Sequence, residues 1–123
     1  MRRLFANILT EEVGATAAFY EQLLGMEPRF TSDWFVNLAD PDMPGLELGI
    51  LKQTSDIVPV RARHAPAGVI LTFVVADCNA VHRLALERGA DIVEAPRDLP
   101  YGQRRMVLRD PAGTFVDISS PVQ

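Results

Sequence analysis

The stretch LADPDMPGLEL, residues 38–48, lies over LRDPAGTFVDI, residues 108–118, without a gap. Leu38 meets Leu108, Asp40-Pro41 meets Asp110-Pro111, and Leu46-Glu47-Leu48 meets Val116-Asp117-Ile118, an offset of 70 residues (110 less 40). So close an echo inside 123 residues marks an internal duplication, and a repeat constrains a fold more than any single propensity does. The shared Asp-Pro step has a physical cause. Proline fixes φ at the first turn position, and the aspartate side chain can accept from the amides that follow. A glycine then comes after each step, Gly45 and Gly113, and the chain returns as a strand.

Outward from the echo, the two halves share one element order. LFANIL is a run of strand length. Thr10, Glu11 and Glu12 open a helix with Ala15, Phe19 and Leu23 on one face, and Gly25 closes it. MEPRFTS, DWFVNLA and GLELGIL read as three strands parted by turn signals. After KQTSDIVPVRARHAPAG, which has no period, GVILTFVV is a strand, Asp77 caps a helix that Gly89 stops, and ADIVEAP, RRMVLR and TFVDIS are three strands. The expected fold is α+β: tandem βαβββ repeats forming an open, cup-shaped mixed sheet with helices on the convex face. Repeat one covers about 1–51, a connector 52–68, and repeat two about 69–120, all in one domain.

The formal net charge is −4, which argues against nucleic acid, since a phosphate-binding surface needs a basic excess. The N-terminal MRRLFANILTEE fails as a leader because its apolar run is short and acids follow. Nothing approaches the roughly 20 apolar residues of a membrane span. A single cysteine, Cys78, excludes an internal disulfide and fits a cytoplasmic location. Packing beside a strand end is its bland role, a nucleophile its sharp one.

Alternation places Val116 and Ile118 on the face beneath the helices, with Phe115, Asp117 and Ser119 on the other. Glu47 sits likewise between Leu46 and Leu48. A sheet with one aliphatic face and one mixed polar and aromatic face suits a ligand cup.

With AAFYEQLLGMEPRF near the start, GQRRMVLRDPAGTFVDI near the end and the paired βαβββ order, the chain resembles the vicinal oxygen chelate superfamily. That group contains glyoxalase I, bleomycin-resistance proteins and extradiol dioxygenases. The resemblance covers nearly the whole chain. It implies a cup with up to four metal ligands, usually histidines on the first strand of each half and glutamates on the last. Counted back from Glu12 and Asp77, the first-strand positions hold Phe5 and Ile70, which cannot bind a metal. The last-strand positions hold Glu47 and Asp117. The two histidines, His64 in the connector and His82 on the second helix, stand elsewhere and are read as solvated.

Transition metals want imidazole or thiolate, so no metal is expected. Two carboxylates could instead hold Mg²⁺, Mn²⁺ or Ca²⁺ if Asn7, Thr72 or waters completed the shell. Alternatively Arg104 or Arg105 neutralises Asp117. Either Trp34 or Phe35 faces the cup. Trp34 is a stacking platform or a core filler, and Tyr101 in PYGQ borders the pocket mouth or caps the sheet end. Phe5, Asn7, Ile70, Thr72, Phe115 and Asp117 form the expected floor.

The resemblance therefore implies a metal-free binder of a small organic ligand, of the drug-sequestering type tied to antibiotic resistance, and most simply a homodimer. The alternatives are a lyase, isomerase or dioxygenase with Glu47 or Asp117 as general base of raised pKa, and a regulatory module without catalysis.

Overall fold

The computed structural model describes residues 1–122. In repeat one, β1 (Ala6–Thr10), α1 (Val13–Leu24), β2 (Glu27–Thr31), β3 (Phe35–Ala39) and β4 (Glu47–Lys52) follow in order. Repeat two runs through β5 (Ile70–Val74), α2 (Cys78–Arg88), β6 (Asp91–Asp98), β7 (Gln103–Arg109) and β8 (Phe115–Pro121). Each repeat closes its own four-stranded sheet, in the orders β1-β4-β3-β2 and β5-β8-β7-β6. The first strand of each repeat pairs parallel with the last, and the other pairings are antiparallel. Strand pairing thus yields two mixed open sheets, one per repeat, rather than a single continuous one.

Both helices end as the sequence indicates. Gly25 and Gly89 take φ of 68° and 66°, a left-handed conformation that favours glycine. Asp77 caps α2 by accepting from the Asn79 amide at 2.9 Å. No side chain caps α1, and Thr10 braces the residue that enters it, Glu12. The Thr10 hydroxyl accepts from the Glu12 amide and meets the Thr16 hydroxyl, both at 2.9 Å. The connector, which has no sequence period, carries a short 3₁₀ turn, Val60–Ala62. Arg63 ties it together by donating to the Val58 and Ser55 carbonyls.

The helices lie against one face of each sheet and share a core. Ile8, Leu38, Leu48 and Ile50 from one repeat and Met106, Leu108, Val116 and Ile118 from the other join one buried cluster with Tyr20 and Val81. Tyr20 crosses between the halves. It is wholly buried, its hydroxyl donates to Asp110 Oδ2 at 2.6 Å, and its ring lies 5.8 Å from that of Phe73. Burial and the neighbouring Asp110 charge push its phenol pKa far up, so it remains a neutral donor.

The registers correct the gapless echo. Leu38 pairs with Leu48, ten residues on, whereas Leu108 pairs with Val116, eight residues on. The first hairpin closes from the Asp40 amide to the Leu46 carbonyl, the second from the Asp110 amide to the Thr114 carbonyl. The first turn is therefore two residues longer. Glu47, paired with Ala39, is the counterpart of Phe115, paired with Arg109. The counterpart of Asp117, which pairs with Val107, is Gly49, which pairs with Asn37. A local alignment placed on the conserved turn cannot detect an insertion inside that turn.

Candidate functional site

The strand faces turned away from the helices form the candidate site. In the first sheet this open face carries Asn7, Phe30, Phe35, Asn37, Glu47 and Gly49, of which the register brings Asn7, Gly49, Asn37 and Phe30 level. Of the aromatic pair, it is Phe35 whose strand position points into the open face. Trp34 sits in the preceding turn beside it, with ring centroids 5.8 Å apart and 38% of the residue exposed. Phe30 continues the row, 6.1 Å from Phe35. The result is a shelf of three aromatic rings near one end of β3.

Gly49 has a reason to be glycine. A Cβ there would lie 2.0 Å from Asn7 Oδ1 and 3.0 Å from the Phe35 ring. The missing side chain lets Asn7 and Phe35 lie across β4, on the rung where repeat two has its carboxylate.

Glu47 is held by Arg3, which no reading of the motifs singled out. The guanidinium grips both carboxylate oxygens, Nε at 2.7 Å from Oε2 and Nη2 against Oε1, and stacks 4.7 Å from the Phe5 ring. Asn37 Nδ2 donates to Oε1 at 3.3 Å. Only 6% of the Glu47 side chain remains exposed. The Arg3 hydrogen bonds, followed by that of Asn37, hold the carboxyl below its ordinary range. This reverses the expectation of a raised pKa at Glu47. An ion pair 44 residues apart in sequence, formed by a residue ahead of the first strand, leaves no local pattern to read.

In the second sheet Ile70, Thr72, Phe115, Asp117, Arg105 and Arg109 share the open face. Asp117 accepts from Ser119 Oγ at 2.8 Å and from Thr72 Oγ1 at 3.2 Å, hydroxyl donors rather than a cation. The expected arginine counter-charge is not there. Arg105 donates to Glu94 at 3.0 Å. Arg104 stands one residue off in the alternation and so points to the helix side, where it binds Asn79 Oδ1 at 2.9 Å and Asp98 Oδ1 at 3.0 Å. There it lines a polar cleft of about 320 Å³ with Asp77 and Ser120. Arg109 lies 5.4 Å from the Phe115 ring.

The remaining residues fall as follows. Tyr101 is exposed in the turn between β6 and β7. Ile70 stands opposite Phe115, and Phe5 immediately precedes β1. Cys78 is buried, its thiol 3.4 Å from the Ile118 carbonyl, and burial raises its pKa, which favours the packing role. His64 lines a separate cavity at the connector. Among the described residues, no group of three or more His, Cys, Asp or Glu is placed to hold a metal ion. No helix among them is long and apolar enough to cross a membrane.

Residues 4–118 match the family model described as Glyoxalase/Bleomycin resistance protein/Dioxygenase superfamily. The chain is 32% identical over 115 residues to the anthracycline biosynthesis protein DnrV of Streptomyces peucetius, a match covering 89% of this chain and 38% of that protein. It thus spans well under half the length of that relative. Among solved structures, it is similar to a glyoxalase/bleomycin resistance protein/dioxygenase family enzyme from Burkholderia phytofirmans PsJN, with TM-score 0.78, 23% identity, and coverage of 96% of this chain and 97% of that one. It is also similar to a superfamily member from Sphaerobacter thermophilus DSM 20745, with TM-score 0.77, 20% identity, and coverage of 98% and 97%. At these identities the structural likenesses speak for the fold.

Proposed function

Because the chain belongs to the Glyoxalase/Bleomycin resistance protein/Dioxygenase superfamily, we propose that it is a metal-free binder of a flat, polycyclic organic ligand, of the drug-sequestering kind. The observation that carries this reading is the shelf of Phe30, Trp34 and Phe35 beside a Glu47 already neutralised by Arg3. Aromatic faces bind flat rings by offset stacking, and Trp34 is exposed enough to take part. The family's divalent ion does not fit these residues. Phe5 and Ile70 offer no lone pair, Arg3 occupies both Glu47 oxygens, and Gly49 leaves Asp117 without a carboxylate counterpart. The name of the Streptomyces relative makes an anthracycline-type ring system the first ligand to try.

Asp117, unpaired with any arginine and facing the same side as Thr72 and Phe115, is the ligand-contacting acid in this reading. The exposed Ile70, Val74 and Phe115 of the second sheet suit burial in a two-fold homodimer. A reducing cytoplasm is the fitting location for the free, buried Cys78.

Titration with an anthracycline, followed by fluorescence of the single tryptophan and by metal analysis of the purified protein, tests the proposal. The expected result is saturable quenching of metal-free protein, and binding weakened in Trp34→Ala when followed by the anthracycline's own fluorescence, since that variant has no tryptophan. A stoichiometric metal needed for binding or turnover would overturn it. A second reading, an enzyme of lyase, isomerase or dioxygenase type, draws on Asp117 alone, an acid free to act as base. Turnover abolished by Asp117→Asn, with binding retained, would favour that reading.

A further inference from the structure

Asp117 is half-buried, yet among the described residues it makes no ion pair. Its hydrogen bonds define what it can still accept. Ser119 Oγ donates to Oδ1 at 2.8 Å, and Thr72 Oγ1 donates to Oδ2 at 3.2 Å. A hydroxyl has one proton to give, and a carboxylate has none. Both hydroxyls have given theirs to Asp117. Lone pairs are therefore all that these three side chains have left to offer.

The nearby cations are engaged elsewhere. Arg105 stands level with Ser119 but turns toward β6, where Glu94 accepts from it at 3.0 Å and also meets Arg97. The strand order β5-β8-β7-β6 puts Glu94 on the side of β7 away from Asp117. Arg109 lies against the Phe115 ring. A partly buried charge with no counter-ion costs free energy. Repeat one meets that cost at Glu47 with Arg3, and repeat two has no residue that does the same for Asp117.

We propose that Asp117, Thr72 and Ser119 form an ammonium subsite, so that the open-face ligand is a flat ring system carrying a protonated primary amine. An ammonium brings three donors and no acceptor, the complement of a cluster that has acceptors only. It also supplies the missing counter-charge. A neutral hydroxyl would fill one acceptor and leave the charge uncompensated, and a carboxylate would set lone pairs against lone pairs. The inference deepens the proposed open-face function and rests on it.

The experiment is an NMR titration of the full chain with probes that share one ring system and differ in one group: 2-(aminomethyl)anthraquinone, 2-(hydroxymethyl)anthraquinone and anthraquinone-2-carboxylate. At neutral pH the amine should bind about tenfold more tightly than the alcohol, with the carboxylate weakest. The amine alone should shift the amides around Thr72 and Asp117. Asp117→Asn, nearly isosteric, should bring the amine down to the alcohol's affinity and leave the alcohol within about twofold. Thr72→Val removes one acceptor and should weaken the amine about threefold. Asp98→Asn removes an equal charge from the helix side and should leave the preference in place, which separates a local contact from the chain's net charge. If amine and alcohol bind alike, or if Asp117→Asn keeps the preference, the subsite is overturned while the open-face reading stands. If no probe binds, both fall.

Discussion

The two repeats each carry an acid on the last strand of the open face, and they treat these two acids in opposite ways. Glu47 in the first sheet is clamped by Arg3, supported by Asn37 and almost covered. Asp117 in the second has only the hydroxyls of Thr72 and Ser119. The acids also stand on different rungs, because the first β-hairpin is two residues longer. The open faces differ in the same sense. Gly49 and Leu51 are buried in the first, while Ile70 and Val74 are exposed in the second. A duplicated scaffold has thus kept its core in common and divided its surfaces: aromatics and a spent carboxylate on one side, an available carboxylate on the other.

The largest expected effect concerns what the halves share. Leu38 and Leu108 occupy equivalent core positions, each fully buried. Either Leu→Ala change should cost about 2–5 kcal/mol. Because both leucines belong to one cluster, each variant should lower a single thermal transition. Calorimetry showing two transitions, with each variant moving only its own, would make the repeats separate folding units.

Next comes the bridge between them. Tyr20→Phe leaves Asp110 Oδ2 without its donor at a buried site, while Oδ1 keeps the Ala112 and Thr114 amides. A loss of about 1–3 kcal/mol is expected in denaturant unfolding. No measurable loss would show that the helices, and not this bond, lock the halves together.

Of similar size is the effect at the glycine that sets the open faces apart. Gly49→Ala would push a methyl into Asn7 Oδ1 and the Phe35 ring, at about 1–3 kcal/mol for overpacking. Asn7→Ala in the same chain should recover part of that, and the double-mutant cycle measures how much. Full cost in the double variant would put the strain on Phe35 alone.

The contrast also marks what was legible in the sequence. Element order, both glycine stops, the Asp77 cap and the two-face alternation were all readable, because each rests on local chemistry: turn geometry, φ > 0, period two. The pairing of Glu47 with Asp117 was misread because the turn was aligned and its length was not. The Arg104 assignment failed by one step of alternation. β7 begins at Gln103, which turns Arg104 toward α2 and Arg105 toward Glu94. The Arg3 clamp on Glu47 depends on a contact between distant segments, and no spacing rule reports that.

The smallest effect bears directly on the two acids, and its sign follows from Arg3. The folded Glu47 carboxyl titrates below its unfolded value. Its contribution to stability is therefore present at pH above the ordinary carboxylate range and fades as pH falls through the lowered folded value. Arg3→Ala should move the Glu47 midpoint upward in a carboxyl NMR titration and flatten the acid limb of the stability curve. Arg105→Ala should leave that midpoint in place, since Arg105 serves Glu94 on the other sheet. If Arg3→Ala instead left the Glu47 midpoint unmoved, Glu47 would not be the neutralised member of the pair. The asymmetry between the open faces would then rest on the aromatic shelf and Gly49 alone.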